Sequence, residues 1–412
     1  MYTRVIIIAI VITFLLAILG VVGWFWGRGG TEVNKNIQGG ILNFFPFGNG
    51  PLGTGSGGEG GKSLDSAVEL PALRQLSKEP IAGAIAFTIG NRYGIRYSER
   101  ATGHTFDAFT DDAVPRRVSN TTIPKVYEAL WFPDISSVIL RYLEEDESIT
   151  TYFGTLKKGD AAQETRELVG AFLPKNIREL VRSQGGGKIA YIAKSGAGES
   201  LILAEPSGTN AKELFSSAIR GWTIGWPATS TIMLATKPSF AAPGYLYLIN
   251  TGNGKVVRLM GERRGLTTLI NPQLTSVLFS ESTETDMALN VLDIKSGAIV
   301  ELPLATLAEK CVWSEEEKLT AFCATPTSLP SASYPDDWYQ GTVSFSDELW
   351  KIDAASGSVT LLDELLDDAG TSIDATHLQM SSDEAYLFFI NKNDSTLWSL
   401  KLNNLQPTTT PP

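Results

Sequence analysis

Tyr247–Leu259 reads YLINTGNGKVVRL, Asn290–Leu302 reads NVLDIKSGAIVEL and Trp350–Leu362 reads WKIDAASGSVTLL, and the three align without a gap. Each is an apolar strand, a four-residue polar turn ending in glycine, and a second strand. That is the pattern of a β-hairpin whose glycine takes positive φ. Looser copies turn at Gly208 (LAEPSGTNAKEL) and Gly159 (TLKKGDAAQETREL). The five glycines stand at 159, 208, 254, 297 and 357, in steps of 49, 46, 43 and 60.

A second signature precedes the hairpins: an apolar or Trp residue, a polar turn, then an apolar strand. It occurs as Trp131–Leu140 (WFPDISSVIL), Trp226–Leu234 (WPATSTIML), Asn271–Phe279 (NPQLTSVLF), Trp313–Phe322 (WSEEEKLTAF) and Met380–Phe389 (MSSDEAYLFF). Two hairpins per ~45 residues make a four-stranded unit, the period and content of a propeller blade. A β-sandwich has no such repeat. The units fall at 81–122, 123–172, 173–219, 220–265, 266–307 and 308–366, and a last one at 371–402 offers only three strands. A three-stranded final blade would leave the ring open and its edge unpaired. Ala67–Leu76 (AVELPALRQL) can supply the missing outer strand. The expectation is an all-β chain, a seven-bladed β-propeller over residues 66–403 closed by N- and C-terminal strands. Six or eight blades are the alternatives, because the first unit diverges.

The tryptophan-turn-strand pattern with its D-x-x-S-G hairpins is similar to TolB-like and, more loosely, WD-repeat-like propeller repeats. Val118–Pro124 (VSNTTIP), Ala101–His104 (ATGH) and Tyr334–Gly341 (YPDDWYQG) resemble motifs of a family of bacterial membrane-anchored propellers. The resemblance covers most of residues 66–402 and implies the fold and a cell-surface setting. It carries no activity, so no catalytic residue transfers from it.

Ahead of the repeats, Val5–Trp26 (VIIIAIVITFLLAILGVVGWFW) holds no charge. A helix of that length spans ~33 Å, enough to cross the hydrocarbon core. No small-residue cleavage site follows it, and Trp24, Phe25 and Trp26 suit a membrane interface. It reads as an uncleaved signal anchor: a single N-terminal transmembrane helix at 5–26 behind a short cytoplasmic head at 1–4. The bulk of the chain is then extracytoplasmic, at the cell membrane. Residues 27–65 are a glycine-rich flexible linker and 404–412 a tail without regular structure. Gly61-Lys62-Ser63 ends like a phosphate-binding loop, but Ser56 stands where its first glycine belongs.

The step of 60 holds an insertion, Pro326–Gly341 (PTSLPSASYPDDWYQG), between strands b and c of the sixth blade. In a propeller this places it on the face shared by the b–c and d–a connections, and long loops on a rigid ring are where binding usually resides. Tyr334, Trp338 and Tyr339 are stacking or anchor residues, and Asp336 and Asp337 are hydrogen-bond acceptors or hard-cation ligands. The alternative is that the aromatic rings pack the channel mouth. His104 and His377 fall in separate blades and read as structural. Cys311 and Cys323, the only cysteines, flank a hairpin and share one face of it, so they can form a disulfide in an oxidising compartment; two small buried thiols are the alternative.

A net charge of −11 argues against nucleic acid as a partner, and two histidines with two cysteines leave little for a transition metal; no cofactor is implied. No G-x-S-x-G elbow is present. The expected function is therefore a non-enzymatic binding or scaffold module for an envelope protein or glycan. The alternative is a channel-site hydrolase or lyase, which a channel lined by convergent carboxylates would favour.

Overall fold

The computed structural model describes residues 70–157, 165–283 and 286–402. The Val5–Trp26 anchor, the linker, the tail beyond residue 402 and the hairpin at Gly159 lie outside the described residues. Among the described residues no helix is long and apolar enough to cross a membrane.

The described chain forms seven four-stranded antiparallel sheets, the blades of a β-propeller. We letter the strands of each blade a to d from the centre outward. The innermost strands are Ile81–Ile89, Val126–Trp131, Glu179–Arg182, Trp222–Ala228, Thr267–Ile270, Cys311–Trp313 and Ala375–Met380, for blades one to seven. The seventh blade takes its outer strand from the other end of the chain. Leu73–Gln75 pairs antiparallel with Thr396–Lys401, in the register Leu73↔Leu400, Arg74↔Ser399 and Gln75↔Trp398.

Local chemistry makes the hairpins. In the c–d turn of blade five, the Asp293 carboxylate accepts from Ser296 N at 2.7 Å and Gly297 N donates to Asp293 O at 2.9 Å. Gly297 sits at φ +73°, where a side chain would be strained. Asn250 with Gly254 and Asp353 with Gly357 repeat the arrangement in blades four and six.

The core lies between blades. Seven apolar clusters fill the seven seams; for example Ile85, Val126, Trp131 and Leu140 join blades one and two, and Ile81, Ile95, Tyr97, Phe388, Ile390 and Leu397 join seven to one. Period-2 alternation does this, since each buried strand offers side chains to both of its seams. An eighth cluster, Tyr334, Trp338 and Phe345 with Met287 and Leu307, seats the insertion against blade five.

Cys311 and Cys323 are opposed register partners on strands a and b of blade six, with Cα atoms 4.0 Å apart, and they are joined as a disulfide within the seam to blade five. Intact-mass analysis of the native, unreduced chain should therefore find no alkylatable thiol. Replacing both cysteines by Ala should cost at most about 3 kcal/mol, because the hairpin already holds the ends of this short loop together. Two reactive thiols would refute the bond.

Candidate functional site

The insertion turns inward. Tyr334 is fully buried and Trp338 is 4% exposed, the Trp338 ring stacking on Phe345 at 6.0 Å. A partner approaching from solvent would not reach either ring. Asp336 is engaged by blade four, accepting from Ser239 Oγ at 3.2 Å and Phe240 N at 2.5 Å. Asp337 accepts from Ser333 N at 2.7 Å and so closes its own loop. Ser282 of blade five donates to Tyr334 O. Bonded to blades four and five as well as its own, the loop spans part of the b–c face. Of these five side chains Tyr339 alone keeps a substantial exposed area, and its hydroxyl donates to Glu309 Oε1 at 2.5 Å.

Glu309 belongs to a group of polar side chains in the central lumen. Glu128 and Glu179 come from the innermost strands of blades two and three, His377 from that of blade seven, and Glu309 immediately precedes that of blade six. His377 and Glu309 have exposed side chains, yet burial shifts the proton affinity of both. Both facts hold for a group that is open to water but walled by protein. Two histidines in separate blades read as structural in the sequence; His377 instead faces this lumen. It sits at φ +54° on a register break between Thr376 and Gln379, a strained bulge of the kind that re-aims a side chain.

The electrostatics divide these groups by role. Burial, with the Glu128 charge beside it, pushes Glu179 up to about 7. Burial holds His377 below its ordinary value, against the opposing pull of Glu128. Burial raises Glu309, and burial with the nearby Glu309 charge raises Tyr339 far above an ordinary phenol, so Tyr339 stays a donor. Glu128 is paired with Arg141 of the neighbouring strand. Near neutrality the lumen thus holds an unprotonated imidazole from blade seven and a carboxyl close to half-protonation from blade three, a base and an acid on different walls of one channel. Among the described residues no three His, Cys, Asp or Glu side chains are grouped so as to hold a metal ion.

At the opposite face, a cavity of about 980 Å³ opens among the a–b turns. Its wall includes Arg182, Gln379 and Leu378, and Leu378 adjoins His377. The sequence signal for the lumen groups is a charged or imidazole residue within an innermost strand: VYEALW at Glu128, ELVR at Glu179 and ATHLQM at His377.

No family model matches the chain, and no curated protein matches it in sequence. Solved structures similar to it are propellers. TolB from Acinetobacter baumannii aligns over 64% of this chain and 60% of its own, with 15% identity and a TM-score of 0.41. An oligogalacturonate lyase in complex with manganese aligns over 81% of this chain and 93% of its own, with 11% identity and a TM-score of 0.53. The oligogalacturonate lyase of Vibrio parahaemolyticus aligns over 81% and 94%, with 9% identity and a TM-score of 0.50. At these identities the likeness is one of fold. It nonetheless corrects the expectation that the chain is not an enzyme, which rested on missing hydrolase motifs: nearly the whole of a lyase is built on this same fold.

Proposed function

We propose that the chain is a channel-site enzyme of the hydrolase or lyase class, working by acid–base catalysis in the propeller lumen and held outside the cytoplasm by its N-terminal apolar segment. The observation that carries the reading is the meeting of Glu179, His377 and the Tyr339–Glu309 pair in one lumen. His377, unprotonated, takes a proton from substrate or water; Glu179, near half-protonation, returns one to the leaving group. The Val5–Trp26 stretch and the Cys311–Cys323 bond support the extracytoplasmic placement. The similar lyases are named for oligogalacturonate, a polyanion. Here Glu128, Glu179 and Glu309 make the lumen rich in carboxyl groups, which favours a neutral oligosaccharide over a polyanion.

The full-length chain is tested on neutral oligosaccharides and on oligogalacturonate, reading new double bonds for a lyase and new reducing ends for a hydrolase. The kcat/KM profile should be bell-shaped. Its acid limb is set by His377, below the ordinary imidazole value, and its alkaline limb lies near 7, where Glu179 loses its proton. Glu179→Gln should lower kcat about 100- to 10,000-fold and remove the alkaline limb. Absence of turnover in both assays, or turnover unchanged in Glu179→Gln, overturns the reading.

A further inference from the structure

The lumen groups hang on one buried knot. Lys310 Nζ, wholly buried, donates to Asp347 Oδ2 at 2.8 Å and to Asp374 Oδ1. Asp374 Oδ2 accepts from Trp338 Nε1 at 2.8 Å and from Phe345 N at 3.1 Å, and Asp347 Oδ2 from Ala375 N at 2.6 Å. The ammonium lies 5.3 Å from the Trp338 ring centre and 5.2 Å from that of Phe345. Chain adjacency carries the knot into the lumen. Lys310 follows Glu309, Trp338 precedes Tyr339, and Asp374 immediately precedes the strand that bears His377.

Stability alone does not account for three fully buried charges, since well-packed apolar residues in such a place are as stabilising or more so. Charge-assisted hydrogen bonds add what apolar packing lacks, a fixed direction at each atom. We propose that Lys310, Asp347 and Asp374 are positioning residues, which fix the insertion and the first turns of blades six and seven so that Glu309, Tyr339 and His377 keep one mutual geometry in the lumen. This deepens the channel-site reading and rests on it. None of the three meets substrate; they act through their neighbours, and Asp374 is the link common to the insertion and to the His377 strand.

The test needs no substrate, because the chain has only two histidines. The full-length chain is labelled with ¹³C-histidine and both imidazoles are titrated by NMR, in the native sequence and in Asp374→Asn. Asn keeps the shape but cannot accept from the ammonium and the indole as a carboxylate does. The expected result is that the His377 midpoint moves up towards the ordinary value by about half a pH unit or more, as its wall loosens and water enters. His104, which precedes strand c of blade one and bonds Thr122 and Arg117, should titrate as before. Should Asp374→Asn not fold, Trp338→Phe, which keeps an aromatic ring of smaller size and removes the N–H that Asp374 accepts, is read in its place and should move His377 in the same direction. A folded variant with an unchanged His377 titration overturns the proposal and leaves the enzyme reading standing. A moved titration in a chain without turnover supports the positioning and refutes only the chemistry.

Discussion

Lys310→Met is expected to lose about 3–5 kcal/mol of stability at neutral pH and to recover part of it in acid. Methionine is close to lysine in length and can fill the space beside the stacked Trp338 and Phe345, so the loss is mainly electrostatic. Without the ammonium, Asp347 and Asp374 face each other, wholly buried, with no cation between them. Even with Lys310 present, burial pushes Asp347 up to about 6, the neighbouring Asp374 adding to it. Removing Lys310 takes away the one charge that opposes this. The sign follows from linkage: a carboxyl whose folded pKa lies above its unfolded value favours the fold below the unfolded value, and that contribution is lost as pH rises through the folded one. Melting curves of variant and parent at neutral and at mildly acidic pH check it. A deficit that is the same at both would show that the knot is packing and nothing more.

Trp338→Ala is expected to cost about 3–5 kcal/mol, the range for deleting a large buried ring. The indole belongs to the cluster that seats the insertion, stacked on Phe345 and bonded to Asp374. Its loss leaves a cavity and strips Asp374 of a donor. Tyr339→Phe, by contrast, removes one hydroxyl from a half-open ring and should change melting little. A melting temperature unmoved by Trp338→Ala would place the ring outside the core and return it to the binding surface. Because Trp338 and Lys310 share Asp374, the two losses should fall short of adding in the double variant.

The blades were legible because their turns are local chemistry. Asp293 with Gly297 and Asp353 with Gly357 make their turns from residues four apart, so the hairpins show in the string of letters and their spacing counts the blades. The place of the insertion was legible for the same reason. Which of its side chains are buried was not, because Ser239, Phe240 and Asp374, which engage Asp336 and Trp338, come from blades four and seven. The lumen was the least legible part. Glu128, Glu179, Glu309 and His377 are brought together only by closing the ring, and no spacing along the chain encodes that. Motifs report sites held on one loop or one helix; a site shared among blades leaves single polar letters in separate strands.

The pairing of Leu73 with Leu400 also sets an order of events. The two positions are 327 residues apart (400 − 73). At about 5–20 residues per second, the outer strand waits on the order of 16–65 s of synthesis before its partner exists. Through that interval blades one to six can zip their seams in sequence, while Ile81, Ile95 and Tyr97 have no Phe388, Ile390 or Leu397 to cover them. The growing chain is an open arc with two complementary ends. Two arcs side by side offer each other the same pairing that each will later make with itself, so the nascent protein is most exposed to exchanging ends with a second copy just before the ring shuts.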